Sequence, residues 1–318
     1  MDILKKEKKL LKLEEELREL DDDKKIESIK SKIEDYKYGM MQDLSAWDRV
    51  LLARHSKRPT SRDVIDAVID DFIELHGDRN FADDKAIIGG IGKFRDRAVT
   101  VIAQQKGKTT EENIEHNFAM PHPEGYRKAL RLMKQAEKFD RPIITFIDTP
   151  GAFPGIGAEA RGQGEAIARN LFEMSALEVP IISIVIGEGG SGGALAIGVA
   201  NDVYMLENSI YSILSPEGYA SILWKDATKA KKAAEVMKLT SYDLEEFGVI
   251  DGIIKEPIGG AHHNPQKTYQ AIEESLQKAL EKYYNFSNYE IKTARYTKFR
   301  KIGFFQRFNY DNLKGVVK

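Results

Sequence analysis

Residues 181–200 read IISIVIGEGGSGGALAIGVA. An apolar strand pattern enters a turn in which Gly189, Gly190, Gly192 and Gly193 surround Ser191, and it leaves as a small-residue helix. Glycine permits a sharp bend and lets another molecule approach the backbone. The first amides of the helix have no acceptor within it, and the helix dipole adds partial positive charge there. Such a turn is suited to holding a negative oxygen. A second unit of the same form spans 144–171. An apolar strand at 143–147 enters a loop carrying Pro150, Gly151, Pro154, Gly155 and Gly157, then becomes helical. Two strand–glycine loop–helix units predict a core that presents backbone donors.

Further apolar runs at 86–91, 98–104, 203–206, 210–214 and 249–254 read as strands. Helical patterns lie between them at 125–139, with a stripe of Ala129, Leu130, Met133 and Ala136, and at 227–239, 243–247 and 265–284. DVIDAVIDDFIELHGDR, residues 63–79, also reads as helical. Alternation of strands and helices predicts an α/β fold. Residues 1–38 differ from the rest. They are dominated by Lys, Glu and Asp, with Leu10, Leu13, Leu17 and Leu20 and then Ile26, Ile29 and Ile33 at helical spacing. This charged segment reads as a helical hairpin packed on its own domain, as a partner-binding arm, or as a disordered stretch. The expected organisation is an arm at 1–38, a main domain at 39–295 and a basic, aromatic tail at 296–318. No internal repeat is visible.

The 318 residues suffice for one large domain or two smaller ones. The net charge is −2, which gives no global signal for nucleic acid. The chain has no cysteine, so disulfides, thiolate metal sites and cysteine nucleophiles are excluded. No secretory leader or membrane-length apolar run is seen, and a cytoplasmic protein is expected.

Several catalytic patterns are tested by these residues. Gly189 to Gly193 fits G-x-S-x-G, with Asp226, Asp251 and His262 or His263 downstream in hydrolase order. Gly187 and Glu188 stand between the expected strand end and Ser191, which argues against a nucleophile elbow. Gly107-Lys108-Thr109 resembles the end of a P-loop, but Ile102 stands where that motif needs glycine. GIGAEARG is not a dinucleotide fingerprint. His262 and His263 are adjacent and diverge on any regular element, and the other histidines are scattered, so no metal is expected in this chain. His122 precedes a helix and is a candidate pocket residue. Arg54, Lys57 and Arg58, and Arg127 with Arg131, are candidate anion holders or simply solvated charges. What survives is a backbone-amide device for polarising a thioester or urea carbonyl. Loss of one such donor costs roughly 10²–10³ in rate.

IGEGGSGGALAIG, FIDTPGAFPG, ARGQGEAIARNL, NFAMPHPEGYRKALRLM, SPEGYASILWKDATKA and KEPIGGAHHN together resemble the carboxyltransferase α subunits of bacterial acetyl-CoA carboxylases, over roughly residues 46–264. The resemblance implies a crotonase-superfamily α/β fold, a spiral of β-β-α units. It implies a β subunit of similar fold, in an α2β2 assembly with the active site between the subunits. Carboxybiotin on a biotin carboxyl carrier protein, charged by a biotin carboxylase using ATP, would carboxylate acetyl-CoA to malonyl-CoA for fatty-acid synthesis. By the same resemblance the N–H groups of Gly192 and Gly193 stabilise negative charge on the biotin oxygen. Gly189, Gly190, Gly151, Gly155 and Gly157 would shape the cleft. Two residues depart from the family pattern: Gly164 replaces a common Ser, and Phe153 a frequent Tyr. The competing expectation is a stand-alone crotonase-like acyl-CoA hydrolase or hydratase, with Glu159 or Glu165 as acid/base.

Overall fold

Apolar runs buried on both faces make the strands of one mostly parallel sheet. The structure, a computed structural model, describes residues 3–18 and 22–303. The strands are β1 (Asp70–Glu74), β2 (Ile87–Phe94), β3 (Arg97–Gln104), β4 (Ile143–Thr149), β5 (Ile181–Gly190), β6 (Asp202–Leu206), β7 (Ile210–Ser212) and β8 (Gly252–Ile254). They lie in the order β1-β2-β3-β4-β5-β6-β8, with β7 beside the end of β5. β1, β2 and β3 pair antiparallel, and the remaining pairs are parallel. The helices are α1 (Ile3–Arg18), α2 (Asp23–Met41), α3 (Ala46–Ala53), α4 (Ser61–Val68), α5 (Thr110–Glu115), α6 (Pro123–Lys138) and α7 (Ile156–Ala160). They continue as α8 (Gln163–Ala176), α9 (Ser191–Leu195), α10 (Pro216–Trp224), α11 (Ala230–Met237), α12 (Ser241–Glu246), α13 (Pro265–Lys282) and α14 (Asn288–Lys301).

Strand alternation divides the core in two. Ile144, Phe146, Ile182 and Ile184 face Val64 and Ile65 of α4 and Ile272 and Leu276 of α13. Ile143, Ile147, Ile181 and Val185 face Leu132 and Met133 of α6, Met174 of α8 and Ala194 of α9. On α6, Ala129, Met133 and Ala136 are buried as expected, while Leu132 is buried and Leu130 only half-buried. In the arm, Ile3 and Leu10 of α1 pack with Ile29, Ile33 and Met40 of α2 and with Leu52 of α3. The hairpin therefore packs on its own chain. Leu20 lies outside the described residues. Among those residues, no helix is long and apolar enough to cross a membrane.

The structure corrects three expectations. The helix expected at 63–79 stops at Val68, and β1 follows as an edge strand pairing Ile73 with Ile91 and Glu74 with Gly90. Helical spacing was real, but the acidic segment pairs with the glycine-rich β2. A Cβ at Gly90 would lie 2.3 Å from Ile73 O, so only glycine lets β1 approach there. The expected strand at 181–186 continues through the glycines to Gly190, because β7 supplies its end with a pairing partner. The chain beyond 285 forms α14, which crosses position 295 without a break and is buried at Ile291 and Arg295. Residues 304–318 of the expected tail lie outside the described residues.

Candidate active site

β5 ends at Gly190, and the chain bends at Ser191, whose φ of 53° is left-handed. A nucleophile-like bend is thus present, and the sequence argument that Gly187 and Glu188 separate Ser191 from the strand fails. The partners of a hydrolase are not assembled, however. Among the described residues, Ser191 has no hydrogen-bonded histidine or carboxylate. Asp226 bonds Thr228, Asp251 bonds Val203 N and Lys298, and His262 bonds Glu7. Glu165 is exposed and pairs with Arg169, while Glu159 is exposed on α7.

α9 begins at the bend with Gly190 as its cap residue, so no side chain covers the first amides. Gly192 O accepts from Ala196 N at 2.9 Å, and Gly193 N–H, antiparallel to it across the peptide, points the other way. Among the described residues, no acceptor bonds Gly192 or Gly193 N–H. The turn is seated directly on the β4 loop. A Cβ at Gly190 would lie 2.2 Å from Pro150 O, and one at Gly189 would lie 2.7 Å from the Tyr211 ring. Gly192 differs, since its nearest neighbours are Ile167 methyls at 3.5 and 3.7 Å. Beside it opens a cavity of about 420 Å³, walled by Leu195, Tyr211, Ile213, Leu244 and Phe299.

The facing loop is held by its own contacts. Thr149 Oγ1 accepts from Gly151 N at 3.0 Å and lies within bonding reach of Gly151 O and Ala119 O. Asn117, Phe118 and Ala119 have φ of 50°, 54° and 57°, a left-handed turn that side chains disfavour. Phe153 N donates to Pro121 O, and Gln163 Nε2 bonds both Pro121 O and Phe153 O. The His122 ring stacks on Phe153 at 4.1 Å, so His122 supports the loop. Gly151 meets the turn. Gly155 and Gly157 instead crowd Phe153 and Arg161 of their own segment.

Behind the turn lies a chain of charges in which Asp148 and Glu188 are buried and Lys106, Arg54 and Glu217 half-buried. Lys106 Nζ bonds Asp148 at 2.6 Å and Glu188 at 3.3 Å, and Arg54 bonds Glu188 at 2.7 Å and Glu217 at 2.8 Å. Burial alone would depress Lys106, but Asp148 and Glu188 outweigh it and hold its pKa above the ordinary range. Burial likewise opposes ionisation of Glu188, and Lys106 and Arg54 reverse that and lower its pKa. Arg54, Lys106, Asp148 and Glu188, with Arg58, line a second cavity of about 220 Å³. Arg58 is spent on Glu256 and Ile186 O, and Arg127 on Asp78 and Arg161 O. Arg131 is spent on Gly77 O and His76 O. Of the basic residues singled out from sequence, Arg54, Arg58, Arg127 and Arg131 are therefore committed to structural partners, while Lys57 is exposed.

Long-range folding assembles one histidine cluster that spacing did not suggest. Glu7 of α1 meets His262 Nε2 at 2.9 Å and His55 Nε2 at 3.4 Å, and the two rings stack at 3.9 Å. Three such groups are a metal-ligand set in composition. Lys57 N–H points at His55 Nδ1 at 3.2 Å, however, which leaves the ring proton on Nε2 facing Glu7. A metal-bound imidazole needs the opposite arrangement. The cluster is a hydrogen-bonded clasp on the arm.

Known proteins resemble this chain in sequence and in fold. The profile of the family described as acetyl co-enzyme A carboxylase carboxyltransferase-like matches residues 1–303. A Clostridium botulinum (strain Eklund 17B / Type B) protein named acetyl-coenzyme A carboxylase carboxyl transferase subunit alpha is 64% identical over 259 residues, covering 81% of this chain and 94% of that protein. A protein of the same name from Bacillus cytotoxicus is 60% identical over 289 residues, covering 91% and 86%. Among solved structures, transcarboxylase 12S with methylmalonyl-coenzyme A and methylmalonic acid bound superposes with a TM-score of 0.56 at 20% identity. That match covers 71% of this chain and 44% of the transcarboxylase chain. A Pseudomonas malonate decarboxylase hetero-tetramer in complex with coenzyme A superposes at 0.55 with 14% identity, covering 66% and 84%. The fold is the crotonase-like α/β fold of such carboxyltransferases. With a family profile spanning nearly its whole length and relatives at this identity, the chain belongs to the acetyl co-enzyme A carboxylase carboxyltransferase-like family.

Proposed function

We propose that this chain is the α half of a biotin-dependent carboxyltransferase. With a β subunit it transfers a carboxyl group from carboxybiotin, carried on a separate carrier protein, to acetyl-CoA, giving malonyl-CoA for fatty-acid synthesis. The observation that supports this site is the pair of uncommitted amides, Gly192 and Gly193, of which Gly192 lines an apolar cavity of about 420 Å³. A volume of that size suits a small ligand with an apolar body and one strong acceptor. Biotin has that character, with a ureido oxygen on a compact bicycle.

Carboxybiotin supplies the carboxyl group, and its freed ureido nitrogen supplies the base. This chain's contribution is electrostatic. Gly192 and Gly193 N–H donate to the ureido oxygen as negative charge gathers there, and their directions are set before reaction. Gly189, Gly190 and Gly151 keep the wall free of side chains. The thioester oxygen of acetyl-CoA needs a second donor set, which the β subunit provides across an α2β2 interface. The carrier protein and biotin carboxylase complete the cycle.

The test is reconstitution. The purified chain alone should form almost no malonyl-CoA, and adding the β subunit and biotinylated carrier should restore transfer. In that assembly Gly192→Val should fold normally and lose at least about 100-fold in rate. Full activity of the chain alone, or of Gly192→Val in the complex, refutes the reading.

A further inference from the structure

We propose that Gln104 is the residue that positions the Gly192–Gly193 donor turn. The inference rests on the donor assignment above and extends it to a side chain on a neighbouring strand. Gln104 closes β3 and is fully buried. Both ends of its amide are used. Nε2 donates to Gly193 O at 2.7 Å, and Oε1 accepts from Asp148 N at 3.2 Å.

Each bond meets a group that regular structure leaves unserved. α9 has only five residues, and Ile197 N–H, which would take Gly193 O in a longer helix, bonds Ala194 O instead. Asp148 lies where the β4–β5 register shifts between Ile147 and Thr149. One side chain therefore ties the turn after β5 to the irregular end of β4. The peptide plane carrying Gly193 N–H is held at Gly192 O by Ala196, and the next plane is held at Gly193 O by Gln104. Glycine has the greatest backbone freedom of any residue, so a donor turn built from it needs such external ties. The left-handed φ of Ser191 adds strain that surrounding contacts must hold.

The experiment uses the assembled complex with its β subunit and carrier. Gln104→Met keeps the length of the side chain and removes both bonds. Thr145→Val is the structural control. It removes buried bonds to Ser183 Oγ at 2.7 Å and to Ile197 O at 2.9 Å, beside the other end of α9. Four readouts are taken: kcat, KM for acetyl-CoA, the melting midpoint, and amide hydrogen exchange of residues 189–196. For Gln104→Met we expect kcat to fall at least about tenfold, KM to hold within about twofold and exchange to rise. Thr145→Val should lower the melting midpoint with kcat within about twofold. Gln104→Glu gives a rescue arm, since its neutral carboxyl can remake both bonds. Burial raises a carboxyl pKa, so this variant should gain rate relative to the unaltered chain between about pH 8 and about pH 6. Unchanged exchange in Gln104→Met, whatever its rate, overturns the positioning role, as does a Gln104→Glu rate that does not recover on acidification. Raised exchange with unchanged kcat upholds Gln104 as the tie but removes Gly192 and Gly193 as the charge-stabilising donors.

Discussion

The backbones of Gly193 and Gly151 touch so closely that no side chain fits between them. A Cβ on Gly193 would lie 2.6 Å from the carbonyl carbon of Gly151 and 2.7 Å from Ala152 N. The contact joins the two glycine loops into one wall and makes neighbouring glycines unequal.

Gly193→Ala should cost about 1–3 kcal/mol or more, because the β4 loop must move to admit the methyl group. Gly192→Ala should change stability by less than about 1 kcal/mol, since Ile167 offers ordinary contact at 3.5 Å. Urea unfolding of both variants measures the difference, and equal midpoints would contradict the packing described.

Ser191 pays a conformational penalty without an evident chemical return. Its φ is 53°, and among the described residues its hydroxyl has no base. Ser191→Gly should keep stability or raise it by up to about 1 kcal/mol. Ser191→Ala should retain carboxyl transfer in the complex. A loss of more than about 100-fold would point to a nucleophilic serine.

Acid should release the arm. Burial would raise the Glu7 pKa, but hydrogen bonds from His262 and His55 outweigh it and hold the carboxyl at about 2, below its ordinary 4.5. That stabilisation, on the order of 3 kcal/mol, is complete above 4.5 and lost as pH falls towards 2. Burial, reinforced by His262 and Lys37, pushes His263 down to about 4 from 6.5. A neutral histidine of this kind stabilises the fold fully above 6.5, and that support is lost as pH falls towards 4. Burial also lowers His262, against the opposing pull of Glu7, with His55 and Arg58 nearby, and Glu14 faces His263. Both losses run in the same direction. Proteolysis of residues 3–18 should therefore be slow near pH 7.5 and fast near about pH 3, where both losses are under way. Equal rates at the two values would count against the clasp.

Arg295 should be intolerant of replacement. It is fully buried, and its guanidinium bonds Met174 O, Leu177 O, Val179 O and Asn201 Oδ1 at 2.6–2.8 Å. Burial lowers its pKa to about 10, so it stays charged at neutral pH against the carbonyl end of α8. Arg295→Met leaves those oxygens without a donor and should cost about 3 kcal/mol or more. It should also loosen α14, which carries Phe299 in the cavity wall. A melting midpoint unchanged by Arg295→Met would show that the carbonyls find other donors.

Much of the scaffold was legible in the chain. β3 and β4 were readable because both their faces are buried, which requires nearly continuous apolar residues. α13 was readable from its periodic apolar face, and the turn at 189–193 from its glycines. β1 was not, since an exposed acidic edge strand carries neither signature and the preceding helical period runs into it. The left-handed turn at Asn117–Ala119 has no glycine to mark it. Glu7, His55, His262, Gln104 and Arg295 looked ordinary because their partners are remote. Gln104 and Gly193 are 89 positions apart, and Glu7 and His262 are 255 apart.

Local order, then, was written in the residues: glycine where the backbone crowds or turns, and apolar runs where both faces are covered. Those preferences act within a few residues of each position. The meeting of the two glycine loops, the Gln104 tie and the clasp on the arm arose from strand register and helix docking. A hydrogen bond depends on where its partner lies in space, and chain folding alone brings such distant groups within 3 Å.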